Sequence, residues 1–239
     1  MKKFKLDYHI FKGIINSFLN LYTGGRKRPV FFDIPKTYAE LTQLTQNFTT
    51  IRSELDHVLQ SQEEIPEYHE VDPGERAISC ASAQKWRVFM LYILGHKPDA
   101  NRALCPETSR LLDGIPNLVQ AFFSVLDPGK SIPLHEGPYY GYLRYHLALR
   151  VPQENPPFII VNSQPHVWKE GEAVMFDDSW PHEVVNHSKE RRIVLIVDVM
   201  RRMPWAPSLL NRFVTGVIGR FTYGKKVAQR VESLTPLFQ

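Results

Sequence analysis

The chain has 239 residues, 43% of them hydrophobic and 23% charged. That balance is ordinary for a globular protein with one sizeable core and argues against a disordered chain. The net charge of +4 and pI near 9.0 are too mildly basic to argue nucleic acid as a partner. The two cysteines, Cys80 and Cys105, form neither a disulfide framework nor a metal-type pair, which fits a reducing cytoplasm.

The N-terminus carries Lys2, Lys3 and Lys5, then an apolar stretch from Ile10 to Tyr22 interrupted by Lys12, Asn16, Ser17 and Asn20. It is too short and too polar to span a bilayer, and no small-residue cleavage site follows, so neither a signal peptide nor a transmembrane helix is expected. Residues 1–33 read as an amphipathic helix, a Gly24-Gly25 break and a basic knot, Arg26-Lys27-Arg28. From Pro35 to about Gln60, Leu41, Leu44, Phe48, Ile51, Leu55 and Val58 fall at helical spacing. Residues 61–84 are polar and read as a long loop with a turn at Pro73-Gly74. Alternation of Trp86, Val88, Met90 and Tyr92 predicts a strand over 85–94, and a short helix is expected over 108–113, closed by Gly114.

Beyond this point the texture changes. Short apolar runs at 121–126, 141–151, 157–161, 172–176 and 192–200 are separated by turn-formers such as Asp127-Pro128-Gly129 and Glu170-Gly171. Strands at this spacing predict a β-sandwich or small barrel, and the helices before them make the class α+β. The chain therefore divides into a helical and loop flank (1–84), a β-domain (85–204) and an amphipathic tail (205–239). In the tail, Leu209, Leu210, Phe213, Val214, Val217, Ile218 and Phe221 form an apolar stripe among Arg212, Arg220, Lys225 and Lys226. Two readings stand for both terminal stripes: a helix packed on the sheet, or a helix lying in a membrane interface.

Three of the nine histidines, His135, His146 and His182, lie on or beside predicted strands. His182 is followed ten residues later by Arg192, at the head of an apolar strand. A histidine with an arginine at that distance in the next strand suits iron and 2-oxoglutarate. The metal takes the keto-acid end, and a buried arginine grips the far carboxylate with its planar fork. Arg191 points to the opposite face of the strand. Non-haem iron sites usually add a carboxylate two residues after the first histidine, and here that position is Gly137. On motif logic alone a metal-free, cupin-like binding module therefore stays open. Arg144 and His146 share one strand face, which suits a polar pocket or the outer face of a sandwich. The Ser124 hydroxyl, inside an apolar run, needs a partner.

Several segments in order carry a family resemblance. They are Ser131-Ile132-Pro133-Leu134-His135-Glu136-Gly137-Pro138, the strand from Leu143 through Arg144 and His146, and Trp168-Lys169-Glu170-Gly171-Glu172. Phe176-Asp177-Asp178-Ser179-Trp180-Pro181-His182-Glu183-Val184 and the strand from Arg192 to Val199 complete the set. Over about residues 85–204 they resemble the aspartyl/asparaginyl β-hydroxylase family of iron(II)- and 2-oxoglutarate-dependent dioxygenases, which includes bacterial lipid A 2-hydroxylase-like members. The resemblance implies a double-stranded β-helix (jelly-roll, cupin-like) core. It implies Fe(II) on His135 and His182, with glycine in place of the carboxylate and water completing the metal site. It also implies 2-oxoglutarate as cosubstrate among Ser124, Arg144, His146 and Arg192, with O2 as oxidant and Asp178 as an acid beside the metal water.

The substrate implied is a peptidyl Asp/Asn residue, the first reading, or a lipid acyl chain. Phe176 to Val184 is similar to the peptide hydroxylases, whereas Met203-Pro204-Trp205 with Leu209-Leu210-Asn211-Arg212-Phe213 is similar to the lipid ones. The expected location is the cytoplasm, with peripheral contact at the inner membrane surface through the two termini.

Overall fold

In a computed structural model, residues 2–61 and 65–234 are described, the side chains of residues 2–12 excepted. The Lys2, Lys3, Lys5 and Lys12 side chains of the N-terminal stripe and residues 235–239 of the tail lie outside the described residues.

The strands are β1 (Phe31–Phe32), β2 (Trp86–Ile93), β3 (Leu118–Leu126), β4 (Ile132–His135), β5 (Tyr142–Arg150), β6 (Phe158–Val161), β7 (Gln164–Val167), β8 (Ala173–Phe176), β9 (His182–Val185) and β10 (Arg192–Met200). One sheet runs β1-β8-β5-β10-β3-β2 and the other β4-β9-β6-β7. From β3 to β10 the chain crosses between the sheets at every step except the β6–β7 hairpin, and every strand pairing is antiparallel. That is an eight-stranded jelly roll, the double-stranded β-helix, with β1 and β2 widening one sheet.

β10 shows why the larger sheet is apolar on both sides. Ile193, Leu195, Val197 and Val199 pack with Leu41, Leu44, Ile51, Leu55 and Val58 of the helical flank. Val194 and Ile196 face the smaller sheet, with Phe122, Ile159, Val161, Trp168 and Phe176. In the flank, α1 (Lys2–Thr23), α2 (Ile34–Tyr38), α3 (Thr42–Gln46) and α4 (Phe48–Ser61) precede β2. Asp33 caps α2 by accepting from Lys36 N at 3.0 Å, with Pro35 in the first turn. Ile51, Leu55 and Val58 recur on the α4 face that covers the sheet. Truncating fully buried Leu55 to alanine there removes roughly 2–5 kcal/mol.

The stretch read as a long loop is partly helical. It holds α5 (Tyr68–Val71), a 3-10 turn (Pro73–Glu75) and α6 (Arg76–Ser79). Caps rather than apolar periodicity make these turns. Glu70 accepts from Glu67 N at 2.8 Å, and Asp72 accepts from Gly74 N at 2.9 Å. α7 (Asp99–Ala103) and α8 (Pro106–Asp113) follow β2. The Glu54 carboxylate, reaching from α4, accepts from Glu107 N and Thr108 N, both at 2.8 Å, and so caps α8 from outside its own sequence.

The tail comprises α9 (Trp205–Phe213), a π-helical continuation (Val214–Gly224) and α10 (Lys225–Leu234). α10 buries Val227, Ala228 and Val231 in the core between the sheets. Leu209, Phe213, Val217 and Phe221 of the tail stripe are instead exposed. No helix among the described residues is long and apolar enough to cross a membrane.

Candidate active site

His135 ends β4 and His182 begins β9, and the antiparallel register sets the two directly opposite each other. Their ring centroids lie 4.1 Å apart. The same local device fixes both rings: His135 Nδ1 bonds Pro133 O and His182 Nδ1 bonds Trp180 O, each at 2.8 Å. A carbonyl only accepts, so each Nδ1 carries a proton, and Nε2 is the nitrogen that the neutral ring would leave free for a metal. Metal-binding histidines are commonly oriented in this way. Burial, then the neighbouring His182, pulls His135 down to about 4, so its ring is neutral at ordinary pH.

No group of three His, Cys, Asp or Glu side chains able to hold a metal forms among the described residues. Space explains the glycine after His135. A Cβ at Gly137 would overlap Asp178 Oδ2, with Asp178 Cγ at 2.7 Å and Asp178 O at 2.8 Å. Gly137 N also donates to Asp178 O at 2.8 Å. The carboxylate of Asp178 thus fills the room a side chain at 137 would take. Spacing along the strand would let an aspartate stand at 137, but the folded chain has no room for one.

Asp178 is buried and held on both oxygens. Tyr142 Oη donates to Oδ2 at 2.5 Å, while Oδ1 faces Arg144 Nη1 at 2.8 Å and His182 Nε2 at 3.3 Å. Burial opposes its charge, but Arg144, helped by the Tyr142 hydrogen bond, prevails and holds the carboxyl below its ordinary value. Arg144 gives the rest of its fork to Asp198, Nε to Oδ1 at 2.8 Å and Nη2 to Oδ2 at 2.9 Å, and Gln120 Nε2 adds 2.6 Å to Oδ2. Arg144 is therefore tied to two buried carboxylates, a partnership its strand face does not reveal.

The second half of the site lies on the inner face of the larger sheet. Arg192 is 1% exposed, and its Nε and Nη1 have no hydrogen-bond partner. Its guanidinium carbon sits 4.3 Å from the Trp168 ring centre. Burial pulls it down to about 9, which still leaves a cation at neutral pH. A buried charge without a counterion costs several kcal/mol, so this pocket calls for an anion. His146 is also buried with both ring nitrogens unpartnered, and burial, then Arg192 and Arg144, push it well below its ordinary value. Ser124 is buried and accepts from Trp86 Nε1 at 2.9 Å, which leaves its hydroxyl proton to donate elsewhere. The Phe176 ring joins the halves, 5.0 Å from His146 and 6.0 Å from His182.

The expected site residues fall into these two groups, His135, His182, Asp178 and Arg144 in one and Ser124, His146 and Arg192 in the other. Arg191 is outside, half-exposed and 3.6 Å from Asp127. The donor set fits a metal held by the two neighbouring imidazoles through Nε2 and a dicarboxylate reaching the orphaned Arg192. Sequence reasoning missed the props. Asp198 lies in phase with Arg192 along an otherwise apolar strand, and Gln120 in phase with Ser124; that alternation was the available signal. Nothing local marks Asp177, which receives Arg28 Nε at 3.0 Å and Arg201 Nη2 at 2.7 Å and anchors the turn leading to His182.

The loop leaving His135 is tied to both terminal helices. Asn16 of α1 accepts from Tyr140 N and donates to Pro138 O, both at 3.1 Å. Asn211 of α9 donates to Gly141 O at 2.6 Å and accepts from Tyr139 Oη at 2.9 Å.

Residues 45–202, which include every residue of both groups, match the family described as aspartyl/asparaginyl beta-hydroxylase. An ornithine lipid ester-linked acyl 2-hydroxylase from Rhizobium tropici is 37% identical over 194 residues, 81% of this chain and 68% of that one. Human aspartate beta-hydroxylase domain-containing protein 2 is 30% identical over 223 residues, 84% of this chain and 57% of that one. The human aspartyl/asparaginyl beta-hydroxylase is 33% identical over 129 residues, 52% of this chain and only 16% of its own length. The match runs through the jelly roll and both halves of its polar pocket, and on it the chain belongs to the aspartyl/asparaginyl β-hydroxylase family.

Proposed function

We propose that the chain is an iron(II)- and 2-oxoglutarate-dependent hydroxylase acting on an acyl chain of a membrane lipid. The observation that carries the chemistry is the facing pair His135 and His182 beside the unpaired buried cation Arg192. Bound iron(II) with 2-oxoglutarate supplies the oxygen chemistry: one atom of O2 enters a carbon–hydrogen bond, the other enters succinate, and carbon dioxide leaves.

The protein's part is positioning. His135 and His182 offer Nε2 to the metal. Asp178, braced by Tyr142 and Arg144, orients water beside it by hydrogen bonding. Arg192 grips the far carboxylate of the keto acid as a fork, with the Ser124 hydroxyl beside it. His146 lines the rest of the cosubstrate pocket, Arg144 braces Asp178 from the metal side, and Trp168 and Phe176 keep the pocket dry. An inactive binding module has no need of this complete polar set.

For the substrate, the acyl reading draws support from identity, 37% over 81% of the chain with the lipid hydroxylase against 30% over 84% and 33% over 52% with the two human beta-hydroxylase relatives. The peptidyl Asp/Asn reading retains the likeness at Phe176 to Val184. Incubation with iron, ascorbate and 2-oxoglutarate, against a lipid extract and a peptide pool in parallel, separates them by mass spectrometry. We expect succinate and an acyl chain heavier by one oxygen. Oxygen found only on peptides would overturn the lipid assignment, and no succinate with either would overturn the hydroxylase.

A further inference from the structure

α1 and α9 pack side by side, and each exposes large apolar side chains among the described residues. Trp205, Leu209, Phe213, Val217 and Phe221 recur every four residues, with Trp205 82%, Leu209 65% and Phe221 68% exposed. On an α-helix such a stripe drifts steadily round the axis. A π-helix, with i→i+5 bonds and wider turns, drifts the other way at the same spacing. The change from α to π after Phe213 thus keeps the row on one side. α1 adds Ile14, Tyr22 and Leu21, the last 77% exposed. A row of large exposed apolar side chains of this kind marks an interaction face.

Charge identifies the occupant. Between Trp205 and Val231 the sequence holds five basic residues, Arg212, Arg220, Lys225, Lys226 and Arg230, and no acidic one. Arg212 lies one turn on from Leu209, and Lys225 one turn on from Phe221. Beside the row, a cavity of about 200 Å³ is lined by Arg201, Arg202, Arg212, Asn117, Asn211 and Ser208. Arg201 is engaged by Asp177 and Arg202 by Glu40, whereas Arg212 is exposed at the surface. Apolar side chains that insert, a tryptophan at the end of the row, and cations at headgroup depth are the features of an interfacial helix.

We propose that this face docks on an anionic lipid surface, with a headgroup phosphate seated in the arginine-lined cavity beside α9. Asn16 and Asn211 hold the loop that runs on from His135, so docking sets the orientation of the metal site to the bilayer. The docking itself needs neither iron nor cosubstrate; only its use, presenting lipid to His135 and His182, rests on the hydroxylase reading.

The test is cosedimentation of the full chain with phosphatidylcholine vesicles, with and without phosphatidylglycerol, in the absence of metal and 2-oxoglutarate. We expect salt-sensitive binding to the anionic vesicles alone. Leu209→Ser/Phe213→Ser and, separately, Arg212→Glu should each weaken it more than about tenfold with unchanged melting temperatures. Negligible binding to both vesicle types, or undiminished binding by either variant, would overturn the proposal. So would a lipid-free dimer abolished by Leu209→Ser/Phe213→Ser, since the face would then belong to a second copy. Each of these results leaves the succinate assay unaffected, so the two readings fail separately.

Discussion

The carboxylate of Asp178 occupies the space that a side chain at Gly137 would need. The family's missing carboxylate is thus replaced in volume by an acid from the turn before His182. Gly137→Asp is expected to displace Asp178, break its contacts with Tyr142 and Arg144, and lower both stability and turnover. Overpacking of this kind costs about 1–3 kcal/mol. Melting temperature and succinate release measure the two losses. Unchanged stability would mean that the Asp178 turn yields freely.

His135→Ala and His182→Ala should each abolish succinate formation while the sheet survives, because both rings lie at strand ends and not in the shared core. Anaerobic iron titration followed by circular dichroism checks binding and fold together. Full turnover in either variant would remove the iron assignment.

Arg192 carries opposite consequences for stability and function. Arg192→Lys should lose about 1.5–3 kcal/mol of 2-oxoglutarate binding, since a point charge cannot reproduce the fork. Arg191→Lys should be nearly silent. Arg192→Met should raise the melting temperature of ligand-free protein, because replacing an uncompensated buried charge by an apolar chain of similar volume gains about 1–4 kcal/mol. The same variant should lose all stabilisation by 2-oxoglutarate. A lower melting temperature would show that the cation has a partner in the free protein.

Acid should destabilise the metal-free protein through His146. Burial, then Arg192 and Arg144, hold this ring well below its unfolded value of about 6.5. As pH falls below that value, the unfolded chain takes up a proton that the folded chain refuses, so stability is complete above it and declines beneath it. Melting temperatures taken downward from neutral pH should fall, and less steeply in His146→Gln. An identical slope in the variant would assign the loss to other groups.

Much of this site is legible one strand at a time. Alternation is a property of neighbouring residues, so the shared face of Arg144 with His146 and the opposite faces of Arg191 and Arg192 follow from the sequence itself, but which face turns inward does not. The jelly roll follows from the spacing of apolar runs together with the family motifs. What escapes is contact between distant segments. Nothing near Gly137 announces Asp178, and nothing near Pro106 announces Glu54 as its helix cap. The same limit hid the committed state of Arg144, whose two carboxylates come from the turn after β8 and from β10. The short strands β7 and β9 escaped because four residues at an edge, or starting beside Pro181, carry too little pattern. The helices within 68–79 are made by caps that a search for apolar periodicity passes over.

Trp168 stacks near His146, with ring centroids 5.9 Å apart, and lies under the Arg192 guanidinium. Its indole Nε1 is buried without a partner. An anion settling on Arg192 must change the electric field across this ring. The wall of the pocket therefore doubles as an optical sensor, whose emission should follow cosubstrate entry with no label, no metal and no turnover.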